Sequence, residues 1–284
     1  MPKAVSVANA STTIDVIEAA TSVVEVSPGI FAPQNTTPVS YPDEAHAELA
    51  RVEDSSFWFA HRNACLEAVM RRYPPSGPLL DVGGGRGFVT RALREGRFDA
   101  VLLEPSPSAV NIAHGRGLAP IVRSTLSDAG FREESLPAAG AFDVIEHIES
   151  DLDFVSSIVE TLQREGRFYA TVPAYPALWS YEDEYAGHYR RYTLNGFEAL
   201  LRAAGLEVEF ATHIFGFLVA PVFLLRSVAG RLLRHEPGAR MAKDHNPSAA
   251  ISLLDPLRSR EIARIRDDRR SRLGTTILAV ARKR

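Results

Sequence analysis

The segment Leu79-Leu80-Asp81-Val82-Gly83-Gly84-Gly85-Arg86-Gly87-Phe88 begins as an apolar run, passes one acidic residue and crosses four glycines before a helix-forming stretch. Glycines at that junction allow a tight turn and let a ligand approach the backbone closely. Working outward, short apolar runs alternate with helical patterns. Strands are expected at Pro78–Val82, Ala100–Glu104, Pro120–Arg123, Phe142–Glu146, Arg167–Val172, Leu206–Thr212 and Thr275–Ala281. Helices are expected at Gly87–Glu95, Ser108–Arg116, Asp151–Arg164 and Leu194–Ala204. This alternation predicts an α/β fold with a Rossmann-like, seven-stranded, mostly parallel sheet covered by helices on both faces.

The flanks read differently. Residues 1–40 are rich in Ala, Ser, Thr, Val and Pro and are expected to form a flexible N-terminal arm, with a short strand or helix around Ile14–Val26. A core is expected over 41–213, opened by a helix from Asp43 to Arg72 that Pro74, Pro75 and Gly77 end. An apolar helical insertion is expected over 214–273, and the last strand of the sheet over 274–284. The apolar run at 214–235 is about as long as a membrane span requires, roughly 20 residues, but Pro221, Arg226, Arg231 and Arg234 interrupt or follow it. Three readings stand: a cap over the site, an interfacial helix making peripheral membrane contact, or a span. A cap would favour a partly apolar substrate.

Composition bounds the rest. The 284 residues are 45% hydrophobic and 24% charged, a globular balance, with a formal net charge of −3. Without a basic face, nucleic acid is not expected as a partner. The lone Cys65 excludes an intramolecular disulfide framework and lies on an apolar helical face, as a structural thiol would. No signal-peptide pattern opens the chain, so cytoplasmic location is expected, as a monomer or homodimer.

Glu104 ends the next apolar strand seventeen residues after Gly87, where a carboxylate can accept bonds from both hydroxyls of a ribose. The dinucleotide fingerprint requires a third small residue, but that position is Phe88 counted from Gly83 and Thr90 counted from Gly85. Asp81, just before the loop, suits the ammonium of a methionine moiety better than a pyrophosphate. The expected cofactor is S-adenosylmethionine (SAM) rather than NAD.

Over roughly residues 50–213 the chain resembles the class I SAM-dependent methyltransferases. Asp81-Val-Gly-Gly-Gly-Arg-Gly, including Gly83, Gly85 and Gly87, is similar to that family's first motif, and Glu104 to its ribose-binding acid. Phe142-Asp-Val-Ile-Glu146-His147-Ile148 resembles the fourth-strand motif, which implies that Glu146 lines the methionine and reaction site. Asp128 lies where the family places a residue near the adenine amino group. Ser56-Phe57-Trp58-Phe59-Ala60-His61-Arg62-Asn63 and Gly187-His188-Tyr189-Arg190-Arg191-Tyr192-Thr193 resemble a bacterial subgroup that acts in polysaccharide, lipid and specialised-metabolite pathways. Arg164-Glu165-Gly166 departs from the family's Gly-Gly turn.

Methyl transfer from a sulfonium is an in-line displacement needing alignment and, for a hydroxyl or ammonium acceptor, a base. His147, His188 and Tyr192 are the catalytic candidates, and Arg62 a candidate partner of the SAM carboxylate. Trp179 and Tyr185 are expected to line the pocket for a small-molecule acceptor, with Arg190 and Arg191 clamping an anionic one or holding the loop through Glu182 or Asp183. Glu146, His147, Asp183 and His188 are far apart or adjacent in sequence without metal-site spacing, so metal-independent transfer is expected. A nicotinamide oxidoreductase and a catalytically silent SAM-binding partner are the alternatives.

Overall fold

Leu79–Val82 and Ala100–Leu103 are apolar but for Asp81, and every position is buried, as parallel strands covered on both faces require. The computed structural model describes residues 13–34, 56–219 and 254–284. Along the chain these form α1 (Thr13–Ala19), β1 (Val23–Ser27), β2 (Ile30–Pro33), α2 (Phe57–Arg72), β3 (Leu79–Val82), α3 (Phe88–Glu95), β4 (Ala100–Leu103), α4 (Pro107–Gly115), β5 (Ile121–Val122) and α5 (Leu126–Ala129). There follow β6 (Leu136–Phe142), α6 (Asp151–Thr161), β7 (Leu162–Pro173), α7 (Tyr181–Tyr185), α8 (Leu194–Ala203), β8 (Leu206–Ile214), α9 (Asp255–Arg266) and β9 (Thr276–Lys283).

Among the described residues the strands make one sheet in the order β1-β2-β5-β4-β3-β6-β7-β9-β8. Strands β2, β5, β4, β3, β6 and β7 are parallel, while β9 runs antiparallel to both β7 and β8. The Rossmann-like α/β expectation holds. Successive side chains on β3 divide between two cores, Leu80 and Val82 joining Val101, Leu103, Ile158 and Phe168, and Leu79 joining Cys65, Leu66, Met70 and Tyr169. Burial holds the Cys65 thiol well above its ordinary pKa, consistent with an unreactive structural cysteine.

Three expectations are corrected. Residues 13–34 are no loose arm: β1 and β2 form a hairpin, and β2 pairs with β5 through Ile30↔Ile121 and Phe31↔Val122. The two-residue β5 would otherwise end the sheet with an unpaired edge, which the hairpin covers. The short strand or helix expected around Ile14–Val26 is present as α1 and β1, whereas the Pro28-Gly29 turn and β2 were not foreseen in the Ala/Ser/Thr-rich composition. Residues 1–12, and residues 43–55 of the expected first helix, lie outside the described residues.

The strand expected at Phe142–Glu146 instead ends at Phe142. Leu136-Pro-Ala-Ala-Gly-Ala-Phe lacks β-branched residues, so its propensity is weak, but a central strand flanked closely on both faces favours small side chains. A Cβ at Gly140 would lie 2.5 Å from the Phe142 ring. The chain leaves the sheet at Asp143 (φ 58°), and Ile145–His147 form a 3₁₀ turn above the strand end.

Strand β7 starts at Leu162 rather than Arg167, so α6 stops at Thr161 and the turn expected at 164–166 is a bulge within the strand. Glu165 takes the left-handed conformation (φ 66°) that a glycine would adopt without strain.

Most of the apolar run at 214–235 falls in 220–253, outside the described residues, so the cap and membrane readings do too. Among the described residues no helix is long and apolar enough to cross a membrane. Helix α9, within the expected insertion, packs on α2. Its buried Glu261 pairs with His61 Nε2 (2.7 Å) and accepts from the main-chain N–H groups of Phe215 (2.7 Å) and Gly216 (2.9 Å). Removing that carboxylate strands three polar groups in the interior. We expect Glu261→Ala to cost about 2–4 kcal/mol and Glu261→Gln less, read from denaturant midpoints. Equal midpoints in wild type and Glu261→Ala would show that the tie does not stabilise the fold.

Candidate active site

Strand order reverses at β3, with β4 on one side and β6 on the other, so the carboxyl ends of these strands open a crevice of the kind where α/β sheets bind ligands. Asp81, the Gly83–Gly87 loop, Glu104, Asp143, Glu146 and His147 all arise there.

Asp81 is fully buried, and Thr90 Oγ1 donates to its Oδ2 at 2.6 Å. Its Oδ1 has no hydrogen-bond partner among the described residues. Desolvation pushes its pKa up to about 6, against the Thr90 bond and the nearby Arg62 charge. A Cβ at Gly84 would sit 2.5 Å from Asp81 Oδ2, so only glycine fits beside the carboxylate. Gly85 has φ 56°, and a Cβ there would project into open space, so the loop backbone is approachable at that point. Glu104 accepts from Gly85 N (2.9 Å) and Ser106 N (2.8 Å), yet burial still raises its pKa. The site therefore offers a buried carboxylate for a cation and a second for hydroxyl donors. Gly83 and Gly87 complete the loop, and Asp128 is half-buried in α5 beyond β5.

Arg62 comes from α2 into the same crevice, buried, with its guanidinium 5.2 Å from the ring centroids of both Trp58 and Phe59. Its Nη1 donates to Asp143 Oδ2 (2.5 Å), and Thr171 Oγ1 donates to Asp143 Oδ1 (3.0 Å). Asp143 was missed by sequence reasoning, although an acid directly after the last apolar residue of a strand is a visible signal. Trp58 stacks on Phe215 at 5.2 Å and packs against the core.

Glu146 is buried, and its Oε2 has no partner among the described residues. Burial, with the neighbouring Asp143 charge, drives its pKa well up. The His147 and His188 rings meet edge to face with centroids 4.7 Å apart. Burial lowers the His147 pKa to about 4, and His188 adds to this, against the carbonyls of Gly187 and Ala186. His188 Nδ1 lies 2.9 Å from Asp183 Oδ1. Burial alone would raise Asp183, but the His188 bond and the Arg191 charge and bond outweigh it and hold the carboxyl at about 2. An ionised Asp183 can only accept, so His188 Nδ1 donates and Nε2 is the ring nitrogen turned away from that carboxylate. Although the sequence offered no close-spaced donor set, ligand atoms of Glu146, His147 and His188 gather within 4.8 Å of one another.

Of the two roles weighed for Arg190 and Arg191, anion clamp or loop support, the contacts seen are those of loop support. Arg191 is buried, its Nε donating to Asp183 (2.8 Å) and its Nη1 to Ala174 O (3.2 Å). Arg190 pairs with Asp151 (2.8 Å) and donates to Glu149 O. Both guanidiniums hold the loop, the second of the two roles weighed for them. Tyr192 is likewise unsuited to act as a base. Its OH donates to Asp151 Oδ2 (2.9 Å), and burial together with that carboxylate drives its pKa far above the tyrosine range. Asp183, which sequence reasoning treated as an arginine partner and a candidate metal ligand, is the residue that organises the loop. Trp179 and Tyr185 are 37% and 56% exposed, and the Trp179 indole N–H donates to Glu184 Oε1 at 3.3 Å.

A family model described as a methyltransferase domain matches residues 57–210, just over half of the chain. A probable S-adenosylmethionine-dependent methyltransferase of Mycolicibacterium smegmatis is 23% identical over 188 residues, 64% of this chain and 72% of that protein. A methyltransferase from Haloferax volcanii, solved in complex with the Trm112 activator, superposes with a TM-score of 0.56 at 18% identity, covering 86% of this chain and 99% of that one. Haemonchus contortus phosphoethanolamine N-methyltransferase 2, solved with S-adenosylmethionine, gives 0.54 at 18% identity, covering 88% of this chain and 61% of that one.

A carboxyl whose pKa rises from 3.8 to about 6 on folding is easier to bury protonated. Its contribution to stability is complete below pH about 4 and is lost as pH rises through about 6, a change of up to about 3 kcal/mol. We expect Asp81→Asn to remove this component, so the ligand-free variant melts at or above the wild-type temperature at pH 7.5. Identical pH–stability curves for the two proteins would contradict the buried-charge reading.

Proposed function

The chain belongs to the methyltransferase-domain family as a class I SAM-dependent methyltransferase, and from that premise we propose that it methylates an oxygen or nitrogen of a small-molecule, lipid-linked or sugar-linked acceptor received at His147 and His188. The observation carrying this reading is the edge-to-face histidine pair beside Glu146, at the head of the strand next to the glycine loop. Asp81 takes the ammonium of SAM, Glu104 the ribose hydroxyls, Arg62 the carboxylate and Asp128 the adenine amino group. Gly83, Gly85 and Gly87 let the cofactor lie against the backbone. Glu146 borders the methionine and the acceptor.

The methyl carbon moves in line from sulfur to the acceptor lone pair. Alignment of donor and acceptor supplies much of the rate, on the order of 7–11 kcal/mol in the best intramolecular cases. Removing the acceptor proton adds about 10²–10⁴-fold. The exposed aromatic side chains of Trp179, Tyr181, Tyr185 and Tyr189, on the loop that carries His188, favour an acceptor with an apolar part. With Arg190 and Arg191 engaged inside the loop, recognition of an anionic group has less support.

Incubating the protein with methyl-labelled SAM and fractionated small-molecule and lipid extracts should place label in a low-molecular-weight or lipid fraction. Label confined to protein or nucleic acid would refute the acceptor class. With that acceptor, His188→Ala should lower kcat about 10²–10⁴-fold while SAM affinity changes less than about threefold. SAM affinity itself should be level above pH 7 and fall about tenfold per pH unit below about 6, as Asp81 takes up its proton. Calorimetry from pH 5 to 8 reads this. A level profile would remove Asp81 as the ammonium partner.

A further inference from the structure

We infer that Glu146, His147 and His188 form a binding site for one divalent first-row transition cation at the acceptor end of the crevice. This rests on the reading of the two histidines as the acceptor end and specifies how they act, as ligands rather than as proton acceptors.

Three observations converge. One ligand atom from each residue lies within 4.8 Å of the others. Donors sharing one ion at about 2.0–2.2 Å stand roughly 3–4 Å apart, so small side-chain rotations would close the set. Glu146 is buried with Oε2 unpartnered among the described residues, a costly arrangement for a carboxylate that a cation would relieve. Finally, Asp183 accepts from His188 Nδ1 and is itself braced by Arg191 Nε and by the Ser180 N–H (2.8 Å). That carboxylate–histidine arrangement is the outer support metal-binding imidazoles use, and it leaves Nε2 as the ring nitrogen for an ion.

Two imidazoles and one carboxylate suit Zn²⁺, Fe²⁺, Co²⁺ or Mn²⁺ better than Mg²⁺ or Ca²⁺, which prefer all-oxygen sets. Three protein ligands leave positions open for an acceptor oxygen. An acceptor hydroxyl bound there would release its proton to solvent. Its oxygen lone pair would then form the new O–CH₃ bond as the S–CH₃ electron pair returns to sulfur.

A second cluster, His61, Cys65 and Glu261, also lies within ligand reach. There Glu261 already accepts two main-chain N–H groups besides pairing with His61, so it needs no ion.

The test titrates chelator-stripped, tag-free, full-length protein with Co²⁺ alone, followed by calorimetry and visible absorption. One Co²⁺ per chain is expected, with Kd raised about 10–100-fold in Glu146→Gln and in His188→Ala and unchanged in Cys65→Ser. Circular dichroism verifies that each variant folds, and His188→Ala, in a surface loop, decides the matter if Glu146→Gln does not. Absence of stoichiometric Co²⁺ binding, equal affinity in the folded variants, or loss of binding in Cys65→Ser overturns the inference. SAM binding measured in chelator separates the two readings. SAM bound without Co²⁺ leaves the methyltransferase reading and removes the cation, whereas Co²⁺ bound without SAM retains the cation site and removes the cofactor assignment.

Discussion

The site depends on keeping an ionisable carboxyl dry. Asp81 sits at the end of a strand buried at every position, where the sheet reverses its order and water is excluded by the neighbouring strand ends. A carboxylate there is costly until a cation reaches it, so its interaction with an ammonium group is far stronger than a surface carboxylate could make. The glycines serve this arrangement. Gly84 leaves room for the carboxylate itself, and Gly85 bends the chain so that its N–H turns to Glu104. The two buried acids are thus coupled through a single turn of backbone.

The opposite wall is held by a second buried acid. Asp183 joins His188, Arg191 and the start of α7, and Tyr189 N–H donates to Glu146 O at 2.7 Å, tying the loop to the turn after β6. Arg190 and Tyr192 meet on Asp151 and anchor the same loop to α6. The loop is therefore a scaffold for one imidazole, and its conspicuous cations are structural. Charge on a loop reads as recognition in a sequence, but here Asp183 and the Ala174 carbonyl engage Arg191, and Asp151 and the Glu149 carbonyl engage Arg190.

At the far edge, β1 and β2 cover a strand too short to protect itself. At the other end α9 braces α2 through Glu261, and α2 in turn delivers Arg62 to Asp143.

Local pattern alone carried much of this. The run from Leu79 to Phe88, the spacing to Glu104 and the alternation of strand and helix placed the α/β sheet, the glycine loop and both acids, because tight turns and buried parallel strands each demand residue types that sequence displays directly. The position of β6 was hidden, since Leu136–Phe142 owes its strand conformation to close neighbours on both faces rather than to propensity. The second strand of the hairpin at 23–33 was hidden for the same reason, its pairing partner lying some 90 residues away. Only the tertiary structure brought Arg62 to Asp143 and Glu146 to His188, and only it turned Arg190 and Arg191 inward. Those outcomes hinge on desolvation and on which opposite charge is nearest in space, quantities that depend on distances the chain order does not contain.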